Sequence, residues 1–135
     1  MDYRIEELIP TMDYSPEYTD ALFLLCERFY TVGRYKDAET LAFELRKITP
    51  CDVRVYKLSA AIQAAQNNYL FAFNCYWTGS QIHESDPELW LGMAQASIHL
   101  DKIADAVDCL DKVLEIAKDD AELYDHARKL RNLIQ

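Results

Sequence analysis

Gly33-Arg34-Tyr35-Lys36-Asp37-Ala38 is the stretch from which the chain is read, because its alanine returns as Ala72 and again as Ala106, 34 residues further on each time. A fixed period of this length belongs to stacked helix pairs, each burying its apolar face against its neighbours. Other columns keep the same phase. Leu22, Tyr56 and Trp90 give the first helix of each pair a bulky residue, and Cys26, Ala60 and Ala94 give it a small one. The small column lets the two helices of a pair approach, where a longer side chain would force them apart. Tyr35, Tyr69 and Ile103 open the second helix, and Ala42, Tyr76 and Leu110 fill its core position four residues after each alanine.

This pattern resembles the tetratricopeptide repeat, and it predicts an all-α chain forming one domain over residues 1–135, with repeats at about 19–52, 53–86 and 87–118. Pro50 closes the first repeat where the consensus has a proline. Gln63 and Ser97 stand where an aromatic is usual, and the next proline, Pro87, opens the third repeat. Ser15-Pro16-Glu17 and Asp86-Pro87-Glu88 each read as an N-cap, a proline in the first helical position and an acid in the first turn, and Asp52 caps the helix between them. The first helix is expected to run to about Val32, where Gly33 supplies a positive backbone angle, and the second from Tyr35 to Ile48, ahead of Thr49-Pro50. Asn67-Asn68 and Asp101-Lys102 make the matching turns. Asp119 and Asp120 cap a last helix at about 120–134, whose Leu123, Ala127, Leu130 and Ile134 close the open end of the stack. Residues 2–9 are read as a short leading helix offering Tyr3, Ile5, Leu8 and Ile9.

Half of the 135 residues are apolar, enough for one continuous core, and the chain is too short for a second ordinary domain. A formal charge of −9 and a pI near 4.7 argue against nucleic acid and anionic membrane surfaces as partners. No apolar run approaches the roughly 20 residues of a spanning helix, and Met-Asp-Tyr-Arg-Ile-Glu-Glu lacks the pattern of a signal peptide, so neither membrane insertion nor export is expected. Cys26, Cys51, Cys75 and Cys109 have no zinc or redox spacing and are read as free thiols. His83, His99 and His126 fall in different repeats without a relay partner, and Gly33, Gly79 and Gly92 form no phosphate-cradling loop. Asp105, Asp108 and Asp111 read as a solvated helix face. No enzyme activity, metal or cofactor is expected.

Repeat arrays bind through a concave face lined by the first helix of each repeat. The inward positions are Asp20, Phe23, Glu27, Tyr30 and Thr31, then Arg54, Lys57, Ala61, Ala64 and Ala65, then Glu88, Leu91, Gln95, Ile98 and His99. Heat-shock co-chaperones of this repeat type grip a C-terminal carboxylate with several basic residues. Here only Arg54 and Lys57 have that charge, so such a clamp is incomplete.

A narrower resemblance covers about residues 19–118. Phe23 and Tyr30 one helical face apart, Gly33-x-Tyr35-x-x-Ala38, and above all Ala72-x-x-x-Tyr76-x-x-Gly79 followed by Pro87 resemble the class II chaperones of type III secretion systems. That resemblance implies a bacterial cytoplasmic chaperone that keeps a hydrophobic, pore-forming translocator soluble before export by holding an extended client segment in the concave groove. Phe23, Tyr30, Lys57, Ala61, Ala64, Leu91, Gln95 and Ile98 are the expected groove residues, with Phe23 and Tyr30 matching the family's pocket aromatics. A needle-subunit chaperone, or a repeat scaffold in another assembly, is the alternative. Self-association or a second chaperone stands beside the client as a further partner.

From Leu58 to His83 the chain carries no Asp, Glu, Lys or Arg. Within that run Leu70, Phe73 and Trp77 recur at helical spacing on the face of the second helix that Ala72, Tyr76 and Gly79 do not use, which predicts a second apolar surface on the convex side. Its cover is either residues Tyr3, Ile5 and Leu8 or another protein surface.

Overall fold

The computed structural model describes residues 15–134, and among them it contains seven α-helices and no strand. These are α1 (Pro16–Thr31), α2 (Tyr35–Ile48), α3 (Val53–Ala65), α4 (Tyr69–Ile82), α5 (Pro87–His99), α6 (Ile103–Ile116) and α7 (Ala121–Ile134). Each packs against the next, and α1 also reaches α3, so the chain is three helical hairpins stacked side by side with α7 laid on the last. The expected leading helix at 2–9 lies outside the described residues.

The helix starts follow from local chemistry. Ser15 Oγ accepts from the Tyr18 N–H at 3.2 Å, and Asp52 and Asp86 accept from the Arg54 and Glu88 N–H groups at 3.0 and 3.1 Å. Asp120 accepts from the Leu123 N–H at 3.1 Å. Each satisfies a donor that a helix N-terminus leaves without a partner.

The hairpin turns repeat to the residue. Gly33, Asn67 and Asp101, spaced by 34, all have positive φ (82°, 64° and 58°). In each turn the next residue's N–H reaches back to a carbonyl five positions earlier: Arg34 to Phe29, Asn68 to Gln63 and Lys102 to Ser97, at 2.8, 2.9 and 2.8 Å. This is the left-handed helix ending that glycine, asparagine and aspartate tolerate best. Gln63, buried in place of an aromatic, uses its amide oxygen to accept from Asn68 Nδ2 at 3.0 Å and so latches its own turn. The bulky column is tied down in the same periodic way, Tyr56 Oη donating to the Pro50 carbonyl and Trp90 Nε1 to the Glu84 carbonyl, each at 2.7 Å.

Ala38, Ala72 and Ala106, and Cys26, Ala60 and Ala94, are all fully buried. Gly79 makes a further close approach outside the alanine columns, since a Cβ there would come within 2.8 Å of Leu89 and 3.4 Å of Tyr56. At the far end Ala127 is buried, while Leu123, Leu130 and Ile134 pack against the core of the third hairpin, and Arg131 hydrogen-bonds Asp111.

Candidate peptide-binding surfaces

The helices α1, α3 and α5 stand side by side and carry the inward column Asp20, Arg54 and Glu88, alternating in sign. Arg54 bridges Asp20 of α1 at 3.0 Å and its own cap Asp52 at 2.7 Å. Lys57 bridges Asp86 at 2.7 Å and Glu88 of α5 at 3.0 Å. Hydrogen bonds to Asp52 and then Asp20 push the Arg54 guanidinium pKa up, and the same bond to Arg54 pulls the Asp52 carboxyl down. Burial by itself would lower the Lys57 ammonium, but the hydrogen bonds to Asp86 and Glu88 outweigh it and leave it raised. The two cations of the inward face are therefore committed to carboxylates of the chain itself.

Beneath those ion pairs the groove is apolar. Phe23 is only 5% exposed, because the Arg54 guanidinium lies over its ring, 4.1 Å from the centroid. Leu91 is buried as well. Tyr30, Lys57, Ala61, Ala64 and Ile98 are half-buried and Gln95 is exposed. Tyr30 leans on Tyr35 with ring centroids 6.0 Å apart, and His99 stacks flat on Tyr69 at 3.9 Å. The expected groove residues thus fall into a buried pair, Phe23 and Leu91, and an accessible set around Tyr30, Ala61, Ala64, Gln95 and Ile98.

Tyr76 belongs with them, although its column reads as core. Its ring tip lies over Gly92 of α5, where a Cβ would meet Cζ, Cε1 and Cε2 at 2.4 to 2.6 Å. The phenol is pushed to a higher pKa by burial first, then by Tyr30, Cys75 and Glu88, with Lys57 opposing. A side chain of α4 therefore passes the glycine and sits in the electrostatic reach of the inward face. The sequence signal is a large residue in the Ala42, Tyr76, Leu110 column combined with a glycine in the Leu24, Leu58, Gly92 column.

The three core thiols are chemically quiet. Burial, with Glu27 adding to it, pushes Cys26 up to about 12, and its Sγ donates to the Ala38 carbonyl at 3.3 Å. Burial, aided by Asp105 and Asp108, pushes Cys109 up to about 11, and burial also raises Cys75. Cys51 is exposed. Among the described residues no group of three or more His, Cys, Asp or Glu side chains is arranged to hold a metal, and no helix is long and apolar enough to cross a membrane.

On the outer side, Leu70 and Trp77 are more than half exposed, whereas Phe73 turns inward and packs against the core of the third hairpin. Phe43 of α2 and Phe71 of α4 are exposed to a similar degree, and Ile82 at the end of α4 is exposed as well. The outer apolar surface is accordingly made by Phe43, Leu70, Phe71 and Trp77. Strict spacing of three and four within α4 misses this, because Phe71 is adjacent to Leu70 and Phe43 belongs to another repeat.

No protein-family model and no curated protein matches the chain. Solved structures do. The type III secretion chaperone SycD of Yersinia enterocolitica, in complex with a peptide of the translocator YopD, superposes with a TM-score of 0.84 at 21% identity over 91% of this chain and 96% of its own. PcrH of Pseudomonas aeruginosa, in complex with the chaperone-binding region of PopD, gives 0.83 at 18% identity over 89% and 92%. The first tetratricopeptide domain of Spaghetti (RPAP3), bound to the HSP90 peptide SRMEEVD, gives 0.76 at 15% over 89% and 95%. At these identities the likeness establishes that the chain has the tetratricopeptide fold of such peptide-binding domains.

Proposed function

We propose that the chain is a type III secretion chaperone of the bacterial cytoplasm, which keeps a hydrophobic translocator soluble before export by holding an extended client segment against α1, α3 and α5. The observation that carries this reading is the state of the inward face. Its cations are neutralised by Asp20, Asp52, Asp86 and Glu88, and beside the exposed Glu27 and Gln95 its accessible surface includes Tyr30, Tyr76, Ala61, Ala64 and Ile98. Such a face suits the apolar side chains of an extended peptide, with alternate residues entering and little conformational entropy to lose. The likeness to SycD and PcrH, both solved with translocator segments, supports it. The likeness to the HSP90-binding domain of Spaghetti is as broad in coverage, but an acidic C-terminal peptide needs free cations, and Arg54 and Lys57 are engaged. No catalytic role is assigned to the chain.

The test is co-expression with a hydrophobic type III translocator from the same bacterium, measuring the client's soluble fraction and its co-purification. A soluble complex is expected, weakened by Tyr30→Ala with Ile98→Ser and indifferent to amidation of the client's C-terminal carboxylate. A client that stays insoluble with the chain present, or one whose retention depends on its C-terminal carboxylate, would overturn the reading.

A further inference from the structure

Between α2 and α4, on the side away from the ion-paired face, lies a recess of about 450 Å³ whose floor includes Ser59, Ile62 and Gln63 of α3. Phe43 and Phe71 form its rims and are 57% and 53% exposed. Phe71 also lines a neighbouring recess of about 610 Å³ together with Leu70 and the α3–α4 turn, so an apolar path runs on past it. Recesses of this size accommodate one or two side chains of a ligand.

Arg46 supplies the polar feature of the wall. Its guanidinium lies 5.2 Å from the centroid of the Tyr56 ring and against the buried Cys75 thiol. Its Nε is buried without a hydrogen-bond partner, and no carboxylate pairs with it among the described residues. The other charges beside it are engaged: Glu44 holds Lys47 at 3.1 Å, and Glu39 lies 4.0 Å from Lys36 and accepts from Gln66 at 3.4 Å. Although the chain has a net charge of −9, Arg46 stands at an aromatic-walled groove with no carboxylate of the described residues paired to it. A half-buried guanidinium in that state favours a carboxylate, which can satisfy it with two parallel hydrogen bonds.

We propose that this outer groove is a second peptide-docking site, which takes a short extended segment of a partner protein bearing two apolar side chains next to an Asp or Glu. The apolar side chains sit against Phe43 and Phe71, and the carboxylate is received by Arg46. The inference uses only the residues of this groove and holds whatever occupies the inward face.

The experiment pans a phage-displayed library of random dodecapeptides on the full chain and on Phe43→Ser with Phe71→Ser, both positions being exposed and the fold checked by circular dichroism. A clone class enriched on wild type alone, carrying an apolar pair beside an acid, is expected. A synthesised member should lose at least about 10-fold in affinity when its acid is changed to the amide, and no further on Arg46→Met. The peptide substitution leaves the protein untouched, so it decides the matter even if Arg46→Met unfolds. Absence of such a class, or affinity indifferent to the acid, would overturn the proposal. So would displacement of the clones by a peptide of residues 1–14, or a doubling of mass in light scattering that Phe71→Ser abolishes.

Discussion

Replacing Gly92 by alanine tests the interlock between α4 and α5 with a single methyl group. The added Cβ would meet the Tyr76 ring at 2.4 to 2.6 Å, whereas carbon atoms rest at about 3.5 to 4.0 Å, so the ring has to retreat by roughly 1 Å or more. Overpacking of this kind costs about 1 to 3 kcal/mol. Against it stands the helix propensity of alanine over glycine, about 1 kcal/mol in favour of the variant, because Gly92 lies inside α5. The net change expected for Gly92→Ala is therefore a loss of about 0 to 2 kcal/mol, a range too broad to be decisive alone. The sign becomes decisive in a second background. The clashing atoms are the far end of the ring, which leucine lacks, and Leu110 already occupies the same column in the third repeat. In Tyr76→Leu the same Gly92→Ala change should stabilise by about 1 kcal/mol, since only the propensity gain is left. Urea unfolding followed by circular dichroism at constant m-value gives all four stabilities. A coupling of about 1 to 3 kcal/mol between the two sites is expected. Equal effects of Gly92→Ala in both backgrounds would refute the close passage of Tyr76 over Gly92.

Thiol titration of the folded protein should count one fast-reacting cysteine, Cys51, and four after denaturation, because burial holds Cys26 at about 12 and Cys109 at about 11 and also raises Cys75. Asp101→Gly relieves a positive φ of 58° and should raise stability by about 0.5 to 1 kcal/mol in the same urea assay, while Gly33→Ala, at φ 82°, should lower it by about 1. Phe23→Ala should cost about 3 to 5 kcal/mol, read as a lower melting temperature, because the ring is core beneath Arg54 rather than an open pocket wall. Arg54→Met should leave the melting temperature nearly unchanged, since exposed ion pairs contribute little.

The fold was legible because its determinants are local and periodic. Ser15, Asp52, Asp86 and Asp120 cap the helices they precede, and Gly33, Asn67 and Asp101 turn the hairpins, each within a few residues of the feature that calls for it. The accessible part of the inward face was half legible. A helical position specifies direction but not what arrives from a neighbouring repeat, and Arg54 covering Phe23 comes from the next repeat along. Tyr76 was hidden for a related reason: its column is core in repeats one and three, and only the missing side chain of Gly92 lets it through. Phe73 went the other way, taken into the third hairpin by contacts that spacing within α4 does not contain.

The middle repeat divides its charges unevenly, and the two candidate surfaces follow from that division. Its first helix carries Arg54 and Lys57, which fasten it to α1 on one side and α5 on the other. Its second helix carries no charge at all. In the third repeat the outward columns are Asp105, Asp108 and Asp111, a face made for water and anchored by Arg131 of α7. The same columns in the second repeat are Phe71, Asn74 and Trp77, with no helix of the described chain laid over Phe71 or Trp77. A helix without a charged stripe has no side made for water, so α4 gains by being covered on both flanks. Inward it is covered by α3 and α5, with Tyr76 reaching past them. Outward the apolar cover is missing beside Arg46, and an acid-bearing apolar peptide is the ligand that supplies both the missing contact and the missing carboxylate.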